Sequence, residues 1–228
     1  MKIKNPFSLL NKFEFSLWLT SVFVVLLSYV LSGFEGTANT ICSLIGVTAL
    51  IFVAKGHVLG MTLCIIFAAF YGIISLYFRY YGEMITYMGM SLPMSVFALV
   101  SWIKNPYKDT DEVKVAKMKK GQIVLMWSVT AVVTIAFYFI LAALNTPRLV
   151  VSTLSVTTSF VAVALTYFRS PYYALAYAFN DVVLIVLWTY ASFSDTSYIP
   201  MVMCFVMFLA NDSYGFYNWK KMQKRQQS

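Results

Sequence analysis

Residues 83–104, EMITYMGMSLPMSVFALVSWIK, align without a gap on residues 200–221, PMVMCFVMFLANDSYGFYNWKK, when the chain is shifted by 117 positions. Met84 falls on Met201, Met90 on Met207, Leu92 on Leu209, Trp102 on Trp219 and Lys104 on Lys221. Each copy is a mostly apolar run of about 20 residues, the length that crosses a bilayer core. Each ends in Trp and Lys, which anchor a span at the membrane surface. Two further apolar runs precede each copy, separated by a short basic turn, AKGH (54–57) in the first set and YFRSP (167–171) in the second. A single apolar run stands between the sets, so the pattern reads as three helices, one linking helix and three helices. An odd linking helix gives both triplets the same orientation, and transporters built on such parallel repeats hold their site at the repeat interface.

The rest of the chain agrees with a membrane fold. Hydrophobic residues make up 60% of the 228 and charged residues 11%, and the mean hydropathy of +0.74 lies far from that of a soluble domain. Apolar runs fall at about 15–33, 38–54, 58–78, 83–103, 121–144, 149–168, 172–193 and 199–219. The expected fold is an all-α integral membrane protein of eight transmembrane helices: two parallel three-helix repeats joined by a linking helix, plus an extra N-terminal helix. The first run has no small-residue cleavage site after it and reads as a retained span. The organisation that follows is an N-terminal helix with a basic start (1–36), a first repeat (37–104), a linker (105–120), a linking helix (121–146), a second repeat (147–220) and a basic tail (221–228).

Charge orients the bundle. In the eight-span reading, 15 of 17 Lys and Arg residues, Lys2 and Lys4 among them, fall on the side that holds both termini; Arg79 and Arg148 fall on the other. The positive-inside rule makes the first side cytoplasmic, so the chain is expected in a bacterial inner membrane with both termini inside. The net charge of +8 is thus a topology signal, and no nucleic-acid partner is expected. Cys42, Cys64 and Cys204 lie in apolar runs without CxxC spacing, and His57, the only histidine, sits in a short turn. They suggest neither a disulfide nor a metal site. No cofactor and no catalytic residue is expected.

Two Asn-Asp dipeptides stand out against this background: Asn180-Asp181 in AYAFNDVVLIVLW (176–188) and Asn211-Asp212 in FLANDSYGFYNW (208–219). A carboxylate deep in a bilayer costs a few kcal/mol or more, so it needs a partner or a watery cavity. The two spans are sequential and antiparallel, which lets the pairs meet at similar depth. Asn211, Tyr214, Gly215 and Asn218 share one helix face, Asp212, Phe216 and Trp219 the next. Tyr173, Tyr177, Asn180, Asp181 and Trp188 form a stripe on the preceding span. Interhelical hydrogen bonding alone explains single amides in such helices. Two pairs flanked by rings point instead to a flat polar or cationic ring compound, held by edge hydrogen bonds, a counter-charge and ring faces.

The runs YGEMITYMGMSLPMSVFALVSWIKNP, with LPM followed by Trp-x-Lys-Asn, and NDSYGFYNWKK, with Asn-x-x-Tyr-Gly-Phe-x-Asn-Trp, resemble the PnuC family of bacterial vitamin transporters from about residue 40 onward. The resemblance implies a SWEET-like pair of three-helix bundles, a homotrimer, and facilitated diffusion of nicotinamide riboside followed by trapping through cytoplasmic phosphorylation, a step of pyridine nucleotide biosynthesis. It also implies a central site drawn from Asn180 and Trp188 and from Asn211, Tyr214, Tyr217 and Asn218. With the Asn-Asp reading, the candidate set is Tyr177, Asn180, Asp181, Trp188, Asn211, Asp212, Tyr214, Tyr217 and Asn218. Members of the family tend to carry more Trp ahead of the Asn in this span, where Tyr173 and Tyr177 stand here. That leaves thiamine and riboflavin as alternative cargoes and proton coupling as an alternative mechanism. Paired intramembrane aspartates also equip aspartyl proteases, but the contexts FND and AND lack the Tyr-Asp and Gly-x-Gly-Asp signatures of those enzymes.

Overall fold

A computed structural model describes residues 6–34, 36–77, 81–108, 110–146, 148–193 and 199–227. Lys2, Lys4 and Arg79 lie outside the described residues. Eight helices are long and apolar enough to cross a bilayer: α1 (Lys12–Leu31), α2 (Thr37–Ala54), α3 (Val58–Tyr77), α4 (Tyr81–Ile103), α5 (Lys120–Ala143), α6 (Leu149–Tyr167), α7 (Tyr173–Ser192) and α8 (Ile199–Gln227). Helix is the form that satisfies the backbone of such segments from within when no water is at hand. Their outward faces stay apolar; on α5, Val124, Val132, Ile135 and Phe139 are all exposed. The basic segment after residue 220 continues α8 to Gln227.

One span departs from regular α-helix. Between Ile85 and Ser91, α4 is π-helical, and Pro93 follows at the start of its α-helical second half. Pro93 has no N–H to give the Gly89 carbonyl, so the ladder breaks there, and the wider turn absorbs the mismatch. π-Turns of this kind gather at functional sites.

Within each triplet, α2 packs on α3 and α3 on α4; α6 packs on α7 and α7 on α8. The triplets meet crosswise, α2 against α8 and α4 against α6, while α5 leans on α6 and α1 lies against α2 and α8. Four hydrogen bonds clasp the crossing. Ser101 Oγ and Trp102 Nε1 on α4 donate to the carbonyls of Tyr167 and Thr166 at 2.9 and 3.0 Å. Asn218 Nδ2 and Trp219 Nε1 on α8, 117 residues further on, donate to the carbonyls of Ala54 and Val53 at 2.8 and 2.9 Å. Trp102 and Trp219 are fully buried, with ring centroids 5.3 Å apart. These rings therefore join the triplets rather than sit as lipid-surface anchors.

The linker closes over the same end. Val113 N–H donates to the Gly56 carbonyl at 2.9 Å and Ala116 N–H to the Arg169 carbonyl at 3.0 Å, so one strap holds the turns of both triplets. Gln226 ties α8 to it, accepting from Val115 N–H at 2.7 Å and donating to Glu112 at 2.7 Å. Gly56 meets the strap at φ +67°, where a Cβ would stand 2.6 Å from Met222 Cε.

Candidate substrate cavity

A cavity of about 90 Å³ lies where the triplets face each other. α2 contributes Gly46 and Val53, α3 Cys64 and Phe67, and α4 Tyr87, Ser91 and Ser95; α6 adds Ser159 and Thr166, α7 Tyr177, Asn180 and Asp181, and α8 Phe208 and Asp212. Val53 and Thr166 are the residues whose carbonyls the two tryptophans hold, so the clasp forms the cavity floor on the strap side. The wall opposite is aromatic. Phe67 meets Tyr71, Tyr87 and Phe208 at centroid distances of 5.8, 6.1 and 5.9 Å. Phe208 fits there because Gly46 has no side chain; a Cβ at 46 would stand 2.6 Å from its ring.

Asp181 and Asp212 are both buried and line the cavity, and they face each other closely enough for their side chains to interact. Like charges in contact repel, so a cation or a shared proton between them is favoured. Asp181 Oδ2 is buried with no hydrogen-bond partner among the described residues, which directs an acceptor at whatever occupies the space. Beside it, Asn180 Oδ1 accepts from Thr158 and Ser159 at 2.7 and 3.1 Å. Those two bonds fix the amide orientation and leave Nδ2 to donate. The described lining includes no Lys, Arg or His. Two acids, one oriented amide and several rings suit a flat cation with a hydrogen-bonding edge.

Of the nine candidates, Tyr177, Asn180, Asp181 and Asp212 line the cavity. The others are placed elsewhere. Asn211 points away toward α1, its Nδ2 donating to Ser21 Oγ at 2.9 Å and to the Met207 carbonyl at 2.8 Å. Tyr214 donates to Glu14 Oε1 at 2.6 Å, on a carboxylate that also pairs with Lys55 at 3.2 Å and caps α1 through Asn11. Asn218 belongs to the clasp, and Tyr217 is 65% exposed. Trp188 packs with Val25, Val47 and Phe205 in a second apolar cluster. The amide and tyrosine stripe of α8 is thus one real face, turned to α1 and α2, while the adjacent face with Asp212 meets the cavity.

Sequence reasoning missed the contribution of α2 to α4. Ser91 and Ser95, four residues apart around Pro93 in an apolar run, were the available signal. Glu14 was likewise overlooked: a carboxylate in the first turn of α1 reads as a helix cap, yet it is fully buried and also partners Tyr214 and Lys55.

Comparison with known proteins agrees with this architecture. A family model described as nicotinamide mononucleotide transporter matches residues 36–221. The nicotinamide riboside transporter PnuC of Neisseria mucosa is 27% identical over 192 residues, which span 82% of this chain and 73% of that protein. The crystal structure of the vitamin B3 transporter PnuC superposes with a TM-score of 0.81 at 24% identity, covering 95% of this chain and 94% of that one. This likeness establishes the shared fold.

Proposed function

This chain belongs to the nicotinamide mononucleotide transporter family, and from that premise we propose that it carries nicotinamide riboside across the bilayer by facilitated diffusion. One observation supports the riboside over its phosphorylated form: the cavity offers two facing carboxyl groups and, among its described lining, no basic residue. A phosphate would meet only like charge there, whereas the permanently cationic pyridinium meets a counter-charge. Rings such as Tyr87 and Phe208 flank the pyridinium, and Asn180 Nδ2 donates to its carboxamide oxygen. Cation–π contacts of this kind contribute about 0.5 to 2 kcal/mol each.

The same electrostatics supports one-way accumulation without a pump. Once a cytoplasmic kinase adds a phosphate, the product no longer suits the cavity, so phosphorylation traps the cargo. In this reading the strap end, which gathers Lys55, Arg169 and the C-terminal helix, faces the cytoplasm of a bacterial inner membrane. The crosswise helix pairs and the clasp bonds 117 residues apart support a parallel-repeat construction. A homotrimer rests on the family resemblance, and the mass of the detergent-solubilised particle tests it. No catalytic step is assigned to the aspartates.

The facing acids favour one rival, a proton-coupled carrier of this or a related vitamin, because two carboxyl groups in contact can hold and release a proton. Transport of labelled riboside into proteoliposomes at zero membrane potential, with and without an imposed pH step, separates the two. Uniport equilibrates the compartments and ignores the step. Uphill uptake that follows the step in the parent and vanishes in Asp212→Asn would establish coupling instead.

A further inference from the structure

A second pocket, of about 50 Å³, lies toward the end of the bundle away from the strap. We propose that it is an entry site that collects a cationic, hydroxyl-bearing cargo before the cargo reaches the central cavity, with Glu83 as the counter-charge. The inference rests on the transport reading above and assigns it a second station.

The pocket differs in kind from the central one. Its polar lining includes a carboxylate, Glu83, and hydroxyl side chains, among them Thr86, Thr146, Ser152, Ser155 and Ser159, and no basic residue is among its described walls. Arg148, which also lies at this end, sits over the Tyr190 ring at 4.6 Å. Hydroxyls both donate and accept, so a cluster of them matches a sugar, and Glu83 matches a positive charge. Ser and Thr in membrane helices often only bond their own backbone, and Thr86 does so, donating to the Gly82 carbonyl at 2.8 Å. Glu83 has one neighbour in the protein, the Tyr71 side chain, and no basic residue among the described pocket walls to balance its charge.

Position supplies the second argument. Tyr87, Ser159 and Leu184 line both pockets, so one layer of side chains separates them. Tyr87 belongs to the π-helical turn of α4, and its ring lies 4.4 Å from that of Tyr71, whose side chain is close enough to Glu83 to interact with it. A cation arriving at Glu83 therefore acts, through Tyr71, on the ring that divides entry site from cavity.

The test uses the full chain in proteoliposomes and two probes, nicotinamide riboside and its 1,4-dihydro form, which keeps the ribose but carries no charge. Glu83→Gln should raise the half-saturating concentration of the cation roughly fivefold or more, as expected for losing a charge pair near water, and leave that of the neutral form at the parent value. Ser155→Leu, which fills the pocket, should slow initial uptake of both. Equal shifts for both probes in Glu83→Gln would overturn the proposal, as would parent rates in Ser155→Leu. Should Glu83→Gln fail to assemble, Ser155→Leu decides alone. A parent protein that takes up neither probe would overturn the transport reading itself.

Discussion

The two Asn-Asp pairs share a dipeptide, a depth and a position between apolar neighbours, yet the fold divides their duties differently. On α7 both members face the cavity: Asn180 is oriented by Thr158 and Ser159, and Asp181 keeps an oxygen without a protein partner among the described residues. On α8 only Asp212 does. Its neighbour Asn211 turns about 100° round the helix and fastens α8 to α1 through Ser21. An embedded polar residue thus identifies a demand for a partner, and the helix packed against its face decides whether it meets protein, as Asn211 does, or the open cavity, as Asp181 does.

Removing charge from the cavity breaks this comparison most forcefully. Asp212→Asn should weaken nicotinamide riboside binding roughly tenfold to a hundredfold, the range for losing a charged hydrogen bond, with folding in detergent retained. Titration calorimetry reads this directly, and an unchanged affinity would remove the carboxylates from the site.

Asn211 and Asn180 should then part company. Asn211→Ala deletes a buried bond to Ser21 and should lower stability by about 1 to 3 kcal/mol, visible as a melting temperature down by a few degrees, with parent affinity for the riboside. Asn180→Ala should do the reverse, weakening binding by about 1 to 2 kcal/mol while the melting temperature moves less. Matching behaviour of the two variants would mean that both amides only join helices.

The eight spans were legible because a bilayer permits few solutions: length, apolarity and the side on which Lys and Arg collect decide nearly everything. Half of the cavity was legible for a related reason, since Asp181 and Asp212 are too costly to be incidental. The other half was not. Phe67, Tyr87 and Phe208 are unremarkable in a chain with 18% aromatic residues, and only tertiary packing distinguishes a ring on the cavity from one facing lipid. The α8 stripe misled because periodicity locates faces without saying what they touch. Tyr214 and Asn218 share a face with Asn211, and that face meets α1 and the end of α2.

Tyr214→Phe sharpens that last point with the smallest expected effect. It removes the bond to Glu14 while Lys55 still pairs with the carboxylate, so stability should fall by about 1 kcal/mol and riboside affinity should hold. A clear loss of affinity would bring the α1-facing side of α8 into the site.

The central claim, that two acids and no base select an unphosphorylated cation, is tested most directly by titrating the purified full chain at neutral pH with nicotinamide riboside and with its 5′-phosphate. The account predicts saturable binding of the riboside and binding of the phosphate weaker by on the order of a hundredfold, since an added dianion meets buried like charge. Equal affinity, or tighter binding of the phosphate, would contradict it.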